Sequence, residues 1–552
     1  MAGNEVSVLL GGRAGDGINS AGAVIAQFLN HLGYFPYLYF DYPSLIRGGH
    51  NFAIIRGAGH PVGVHGDMVD FVLALNQETV TRHHARFHAR TVMVYNADVV
   101  RADGQGVPVK TILMEEKAPP IMGNSAVIGA FAKAAGIAWD TVNTVFLAHM
   151  PKGADLNLRV ARRAYDQCST VRPIPPLGDR RLSLISGNEA IGLGMVAGGL
   201  SAYVSYPMTP SSSLLHFLAE NAGRFGITVI HPENEIAVML MALGLSYGGQ
   251  QAAVGTSGGG FCLMTEGLSL AGMAEIPIVL VVSQRTGPST GLPTYTAQSD
   301  LHFVLNAGQG EFPRFVVAPG DAQDAYFWSA VAMNIAWKFH VPAFILADKT
   351  LSEGVYGVDP SKIPDAGIGE ALSRDGTGHY RRYADTANGI SPLAFPGTKG
   401  AVVKVNSYAH DESGITTEDA GSVIQMSNKR ARKAAGLAKE MESYTTVRTG
   451  GVPGAATAIV CWGSTKGVCC EVAEELGLRT LQPVVMSPFP DVQCAVALKG
   501  VRRLIAVEEN ATGQLASLLR LHGISPDAMV LQYDGRPFTP GTLLSRIREV
   551  IA

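Results

Sequence analysis

The clearest hydrophobic pattern in the chain lies at residues 202–249, where short apolar runs alternate with helical stripes. Ala202–Tyr206 is an apolar run of strand length that stops at Pro207. Thr209 stands directly before Pro210, which predicts a helix N-cap followed by proline at the first helical position. Gly226 lies just beyond the end of the predicted helix, where glycine is favoured. The segment therefore predicts a buried strand followed by a helix.

A second strand, predicted at residues 227–230, leads into a helix that starts at Glu235. In parallel α/β sheets, ligands bind at the carboxyl ends of the strands. Thr209 and Glu235 are therefore the first candidates for a site. Spacing alone favours local roles, with Thr209 as a helix cap and Glu235 as a first-turn carboxylate attracted by the helix dipole.

The same alternation of strand and helix recurs along most of the chain and predicts a multidomain α/β protein. A proline-rich stretch at residues 172–177 marks the first boundary. We predict one domain at residues 1–175, a second at 183–355 and a last one at 451–552. Between the last two, residues 356–450 lack regular periodicity apart from a basic helix predicted at residues 429–441. We interpret these residues as a connection that wraps the neighbouring domain.

Composition excludes some classes of function. The 552 residues are 47% hydrophobic and 16% charged, with a net charge of −3. Without a basic excess, no nucleic-acid partner is predicted. The chain shows no signal peptide and no apolar run of membrane-spanning length, so no membrane partner and a cytoplasmic location are predicted.

The cysteines do not form a recognisable cluster. None of the six belongs to a CxxC motif, so neither an iron–sulfur cluster nor a zinc site is predicted, and all six are interpreted as small buried apolar side chains. Gly15-Asp16-Gly17 is interpreted as a turn, and the chain contains no Asn-Asn pair. No metal site is therefore expected in this chain.

Two strings carry a resemblance to a known family. Tyr206–Ser212 (YPMTPSS) and Glu233–Ala237 (ENEIA) resemble segments of the pyrimidine-binding domain of thiamine-dependent 2-oxoacid:ferredoxin oxidoreductases. The resemblance implies that Glu235 is catalytic and contacts the aminopyrimidine of thiamine diphosphate. It also implies that Thr209 binds substrate and that Tyr206 and Pro207 lie beside the cofactor.

Further strings extend the resemblance over nearly the whole chain. Residues 41–50 (DYPSLIRGGH) resemble the family's gamma domain, here fused ahead of the pyrimidine domain, which implies a coenzyme A side at Arg47 and Gly48. Gly258 and Gly259 match the glycine turn that approaches the cofactor. Arg285 matches the substrate arginine, which suits the binding of a carboxylate. Residues 507–515 (VEENATGQL) resemble a transketolase C-terminal-like domain. Departures are Leu45, where relatives commonly have an acidic residue, and Gln309, where they often have histidine.

The resemblance implies an alpha subunit that decarboxylates a 2-oxoacid oxidatively, with the acyl group passing to coenzyme A and the electrons to ferredoxin. The fused gamma–alpha order is most similar to 2-oxoglutarate:ferredoxin oxidoreductases, which implies succinyl-CoA formation or its reversal by reductive carboxylation. A separate beta subunit is expected to bring the diphosphate and magnesium site and a 4Fe–4S cluster, in an (αβ)2 heterotetramer. One alternative is the same reaction with pyruvate or a branched-chain 2-oxoacid as the substrate. A second alternative is a non-catalytic subunit that binds a nucleotide or supports assembly.

Overall fold

The computed structural model of the protein describes residues 4–44, 49–150, 153–367 and 379–552. The chain divides into two compact units. The first comprises Met1–Ser186, Glu353–Lys362 and Thr539–Ala552, and the second comprises Gly187–Ser352 and Ile363–Phe538. Both units are mixed α/β structures, as predicted. The finer division into domains and a wrapping connection stays a prediction.

The first unit is built on an eight-stranded sheet. Its strands are β1 (Glu5–Arg13), β2 (Phe35–Asp41), β3 (His50–Ala58), β4 (Val69–Ala74), β5 (Phe87–Asn96), β6 (Gln105–Val107), β7 (Ser183–Ser186) and β14 (Val355–Val358). The order is β6-β5-β4-β1-β3-β2-β14-β7. Strands β6, β5, β4 and β1 are parallel, and the remaining pairings are antiparallel.

The helices of the first unit are α1 (Ile18–His31), α2 (Gln77–His83), α3 (Val109–Glu115), α4 (Gly123–Ala134), α5 (Trp139–His149), α6 (Ala154–Gln167) and α19 (Pro540–Ile551). Single 3-10 turns occur at His84–Arg86, Pro120–Met122 and Pro360–Lys362. Helix α19 is tied to this unit because Asp67 accepts hydrogen bonds from the Thr539 hydroxyl and from the Gly541 N–H.

The second unit contains a seven-stranded sheet of order β18-β12-β13-β11-β10-β8-β9. These strands are β8 (Ala202–Ser205), β9 (Thr228–Ile230), β10 (Ala252–Thr256), β11 (Ile278–Gln284), β12 (Phe315–Val317), β13 (Pro342–Asp348) and β18 (Val485–Ser487). All are parallel except β18. Every residue of β11 is buried, as expected for an uninterrupted apolar strand in the middle of a parallel sheet.

The helices associated with this sheet are α7 (Gly187–Ala197), α8 (Ser212–Glu220), α9 (Ala222–Phe225), α10 (Glu235–Tyr247), α11 (Gly258–Ala274), α12 (Leu301–Asn306), α13 (Ala322–Phe339), α14 (Lys349–Glu353) and α15 (Ala420–Met441). Helix α15 is the predicted basic helix and begins earlier than the Lys429 expected from the sequence.

The second unit also contains a five-stranded sheet of order β15-β17-β16-β19-β20. Its elements are β15 (Val447–Gly451), β16 (Thr457–Val460), β17 (Arg479–Pro483), β19 (Arg503–Glu508), β20 (Ala528–Leu531), α16 (Thr465–Leu476), α17 (Asp491–Ala497) and α18 (Gln514–Leu521). Buried residues of both sheets of this unit belong to one hydrophobic cluster. Among the helices in the described ranges, none is both long and apolar enough to cross a lipid bilayer.

The predicted helix start at Thr209 and Pro210 is wrong. Helix α8 starts at Ser212, and Thr209 and Pro210 form a turn instead. The turn is held from outside, because the Arg285 Nη1 donates to the Thr209 carbonyl (2.8 Å) and the Asn188 Nδ2 donates to the Pro210 carbonyl (2.9 Å). Asn188 therefore braces this turn from within α7 and does not cap its own helix.

The prediction that all six cysteines are buried is correct for three of them. Cys461, Cys469 and Cys494 are buried, whereas Cys262 is exposed on α11. The Gly15-Asp16-Gly17 turn is confirmed. Both glycines have positive φ, and the Asp16 carboxylate accepts the Arg13 backbone N–H (2.7 Å) within the turn.

Candidate active site

Four neighbouring strands of the seven-stranded sheet deliver the predicted site residues to one edge. Strands β11, β10, β8 and β9 are adjacent and parallel, so their carboxyl ends share one side of the sheet. Arg285 follows β11, and Gly258 and Gly259 follow β10. Thr209 follows β8, and Glu235 follows β9.

Glu235 is the first residue of α10, and its carboxylate is buried. Only 4% of the residue is exposed, and Oε1 has no hydrogen-bond partner within the described ranges. The Asn234 side chain caps the helix by accepting the Ala237 N–H (3.0 Å), so Glu235 is not needed as a cap. A buried acceptor without a donor is costly, at about 1–3 kcal/mol. This atom is therefore free to accept a hydrogen bond from a ligand.

Three consecutive glycines at the start of α11 make room around Glu235. A Cβ on Gly260 would lie 2.2 Å from the Thr256 Oγ1 and 2.8 Å from the Glu235 Oε1. A Cβ on Gly258 would lie 2.3 Å from the Asp300 Oδ2, whereas one on Gly259 would meet nothing closer than a carbonyl oxygen at 3.6 Å. Gly258 and Gly260 are thus needed for space, and Gly259 faces the open side.

Arg285 directly follows β11 and reaches across to Thr209. Besides the bond from Nη1 to the Thr209 carbonyl, its Nε is buried and has no acceptor in the described part of the chain. Burial lowers the pKa of Arg285, and the nearby Asp300 opposes that shift. The contact with Thr209 uses the backbone, so it leaves the threonine hydroxyl available for another partner.

Asp300 is a residue that the sequence interpretation did not assign to the site. Its carboxylate lies against Gly258, and its backbone N–H donates to the Gln284 Oε1 (2.9 Å). Burial raises the pKa of Asp300 to about 6, and Arg285 opposes part of that rise. Asp300 stands in residues 298–301 (QSDL), after the loop that begins at Arg285. Nothing in these residues indicates that its carboxylate faces the start of α11.

The other predicted residues differ in what the structure shows. Tyr206 and Pro207 are exposed, and the Tyr206 ring packs against His231 with centroids 5.9 Å apart. Arg47 and Gly48, the predicted coenzyme A side, lie outside the described residues. Among the residues that are described, no group of three His, Cys, Asp or Glu side chains is arranged to hold a metal ion.

Two protein-family models match the chain. Residues 193–429 match the family described as "Pyruvate flavodoxin/ferredoxin oxidoreductase, thiamine diP-bdg". Residues 7–167 match the family described as "Pyruvate ferredoxin/flavodoxin oxidoreductase". The first match covers six of the seven strands of the sheet that carries Glu235, Thr209 and Arg285. The fold and the candidate site thus define a subunit of a ferredoxin- or flavodoxin-dependent oxidoreductase with a thiamine diphosphate-binding domain.

Individual relatives narrow this class. The chain is 30% identical over 631 aligned residues to the alpha subunit of 2-oxoacid:ferredoxin oxidoreductase 2 from Aeropyrum pernix, covering 99% of this chain and 98% of the relative. A 2-oxoglutarate oxidoreductase subunit KorA from Mycobacterium tuberculosis is 30% identical over 73% of this chain and 64% of its own length. The chain belongs to the family of 2-oxoacid:ferredoxin oxidoreductase alpha subunits.

A solved structure supports the same assignment. The 2-oxoglutarate:ferredoxin oxidoreductase from Magnetococcus marinus, determined with 2-oxoglutarate, coenzyme A and succinyl-CoA bound, superposes with a TM-score of 0.90. The two chains are 28% identical, and the match covers 100% of each. The likeness therefore extends over the full length of both chains.

Proposed function

We propose that this chain is the alpha subunit of an enzyme that converts 2-oxoglutarate and coenzyme A to succinyl-CoA and carbon dioxide and passes the electrons to ferredoxin, or runs the reverse carboxylation. Family membership supports the reaction class. The relatives named as 2-oxoglutarate enzymes, in Mycobacterium tuberculosis and Magnetococcus marinus, support this substrate among the 2-oxoacids.

The observation that carries the proposal is the buried Oε1 of Glu235, which has no donor among the described residues. Thiamine diphosphate, when bound, supplies a carbon nucleophile for the 2-oxo carbon and accepts the electron pair released by decarboxylation. An aminopyrimidine ring nitrogen that carries a proton would satisfy this carboxylate. We assign Glu235 the role of holding that proton, which is general acid–base work. Gly258 and Gly259, with Tyr206 and Pro207, line the same strand ends and would flank the pyrimidine.

Arg285 and Thr209 are assigned to the substrate. The guanidinium of Arg285 is half-buried and keeps an unpaired Nε, so it retains donors for a carboxylate. The Thr209 hydroxyl would donate to the same substrate while its carbonyl holds the arginine in place. Coenzyme A is proposed to approach through the gamma-type domain, at Arg47 and Gly48.

A partner chain is part of the proposal. This sequence contains no Asn-Asn pair to complete a diphosphate and magnesium motif, and its cysteines form no cluster motif. A beta subunit would supply magnesium, the diphosphate contacts and a 4Fe–4S cluster, with ferredoxin as the acceptor. An (αβ)2 heterotetramer in the cytoplasm is the assembly that we propose.

The test is coenzyme A-dependent reduction of a viologen dye by the co-purified complex across a panel of 2-oxoacids. We expect 2-oxoglutarate to have the highest kcat/KM. Glu235→Gln should abolish activity, while Glu233→Gln, an exposed carboxylate two residues away, should not change it. A preference for pyruvate or a branched-chain 2-oxoacid would replace the substrate assignment. Full activity in Glu235→Gln would favour the alternative of a non-catalytic assembly subunit.

A further inference from the structure

Two long helices of the second unit end in the same unusual way. Helix α11 is followed by Glu275 and α13 by His340, and both residues have a left-handed backbone, with φ of 48° and 53°. This conformation disfavours side chains, and glycine normally occupies it. Both side chains are nevertheless buried, with 2% and 1% exposed. The two side chains are close enough for the charge of Glu275 to act on the imidazole.

Three cations surround these helix ends. Lys429 and Lys433, one turn apart on α15, both donate to the Glu275 carboxylate, Lys429 at 2.8 Å to each oxygen. The Arg382 Nη2 donates to the carbonyls of Ala274 (3.3 Å) and Glu275 (2.7 Å). All three cationic side chains are buried. The segment that carries them is thereby anchored to α11.

The charges in this cluster do not balance. Three cations face one carboxylate and two helix C-termini, each of which contributes about half a negative charge. About one positive charge is left over in a buried place, where an uncompensated charge is expensive. His340 does not help, because burial and the neighbouring Lys433 and Arg382 lower its pKa well below the usual range and keep it neutral.

Buried polar atoms in the cluster also lack partners within the described part of the chain, including the one N–H donor of the neutral imidazole. Neither ring nitrogen of His340 has a hydrogen-bond partner in the described ranges, and the same holds for the Arg382 Nη1. Both residues are more than nine-tenths buried. Each group would cost about 1–3 kcal/mol if it had no partner at all. The unpaired donors and the surplus charge point to the same kind of missing partner.

We propose that this cluster is a binding site for one monovalent anion, chloride in the cell, held by the Arg382 Nη1, an N–H of His340 and the Lys433 ammonium. A monatomic anion matches one surplus charge and accepts from several N–H donors at once. By neutralising the cluster, the anion fastens the segment at residues 379–441 to the ends of α11 and α13. The site lies outside the residues assigned to 2-oxoacid and cofactor.

A competing explanation is that Lys433 loses its proton instead. Burial lowers the pKa of Lys433 to about 8, and Glu275 opposes that shift. Burial also lowers the pKa of Lys429. A neutral Lys433 would balance the charge without any ligand, but it would leave the Arg382 Nη1 and His340 unpaired. A bound anion and a deprotonated Lys433 can therefore be told apart by testing whether the cluster binds a halide.

The decisive experiment is anomalous diffraction from crystals of the complex soaked in bromide. We expect a bromide peak beside Arg382 and His340. In solution, the melting temperature of the complex should rise by a few degrees when gluconate is exchanged for chloride or bromide at constant ionic strength, because a ligand of the folded state stabilises it. The absence of a bromide peak together with equal melting temperatures, as expected for a neutral Lys433, would overturn the proposal.

A matched pair of variants on α15 adds a second test. Lys433→Met removes the surplus charge, so both the bromide peak and the halide effect on melting should be lost. Lys439→Met, an exposed residue on the same helix, should keep both. A halide effect that persists unchanged in Lys433→Met would place the anion elsewhere and refute the assignment. The bromide measurement on the unmodified complex stands even if Lys433→Met does not fold.

Discussion

Gly260→Ala tests whether the position of the Glu235 carboxylate matters for catalysis. The new Cβ would lie 2.2 Å from the Thr256 Oγ1 and 2.8 Å from the Glu235 Oε1, both closer than a carbon and an oxygen can approach. Thr256 is fully buried at the end of β10 and has little freedom to move. The Glu235 carboxylate must therefore shift, by roughly 1 Å if contact distances return to the usual 3.5 Å or so.

The expected effects on stability and on activity are of different sizes. Alanine favours helix over glycine by up to about 1 kcal/mol, while overpacking costs about 1–3 kcal/mol. The net loss of stability in Gly260→Ala should thus be about 0–2 kcal/mol. A displacement of about 1 Å in a catalytic group costs about 100-fold in rate. We therefore expect kcat/KM to fall by about two orders of magnitude in a complex that remains folded.

Gly244→Ala is the matched control. Gly244 lies on α10, the helix that begins with Glu235, and a Cβ there would meet nothing within 4 Å. This variant should keep full activity and gain up to about 1 kcal/mol of stability. Dye reduction measures kcat/KM, and calorimetry measures stability. Wild-type activity in Gly260→Ala would refute the claim that the Glu235 carboxylate must be held in this position.

Three further predictions concern Arg285, Asp300 and Glu508. Arg285→Lys should raise KM for the 2-oxoacid by about 10- to 100-fold, the value of one charge-assisted hydrogen bond, and an unchanged KM would remove Arg285 from substrate binding. The folded chain binds the Asp300 proton more tightly than the unfolded chain, since burial raises its pKa to about 6. The free energy of unfolding should therefore fall as pH rises towards that value. In Asp300→Asn, the melting temperature should depend less on pH between about pH 4 and pH 7. An equal pH dependence of the melting temperature in both proteins would contradict this. Glu508→Gln should lower the free energy of unfolding by about 2–3 kcal/mol in urea titrations, because the buried carboxylate accepts the Leu515 and Ala516 N–H groups, and an unchanged midpoint would show that these bonds are dispensable.

Elements with strong local signals could be predicted from the sequence. The apolar run at residues 202–206 forms β8 (Ala202–Ser205), one residue shorter than predicted, because a buried parallel strand needs an apolar stretch. Helix α10 starts at Glu235, as expected, since Asn234 provides a local cap. In both cases the determining interactions lie within a few residues of the element.

Other features depend on residues far apart in the chain. The turn at Thr209 and Pro210 is held by Arg285 and Asn188, so a local capping signal was overridden by long-range donors. Strand β14 pairs with β2, which lies more than 300 residues earlier in the chain, and no local pattern identifies that partner. Asp300 could not be assigned to the site because its contact with Gly258 exists only after the loop folds back.

Three buried polar atoms without partners in the described part of the chain lie together at one edge of the seven-stranded sheet, where a ligand would reach all of them. The Glu235 Oε1, the Arg285 Nε and the Ser257 Oγ are all buried without partners among the described residues, and all three belong to segments that leave the same sheet edge. Each of them costs about 1–3 kcal/mol as long as it has no partner. One acceptor, one cationic donor and one hydroxyl at a single edge are the groups that an aminopyrimidine and a 2-oxoacid carboxylate would satisfy. The destabilisation of the free chain is then recovered when ligand binds, so cofactor and substrate should stabilise the complex more in the native protein than in Glu235→Gln.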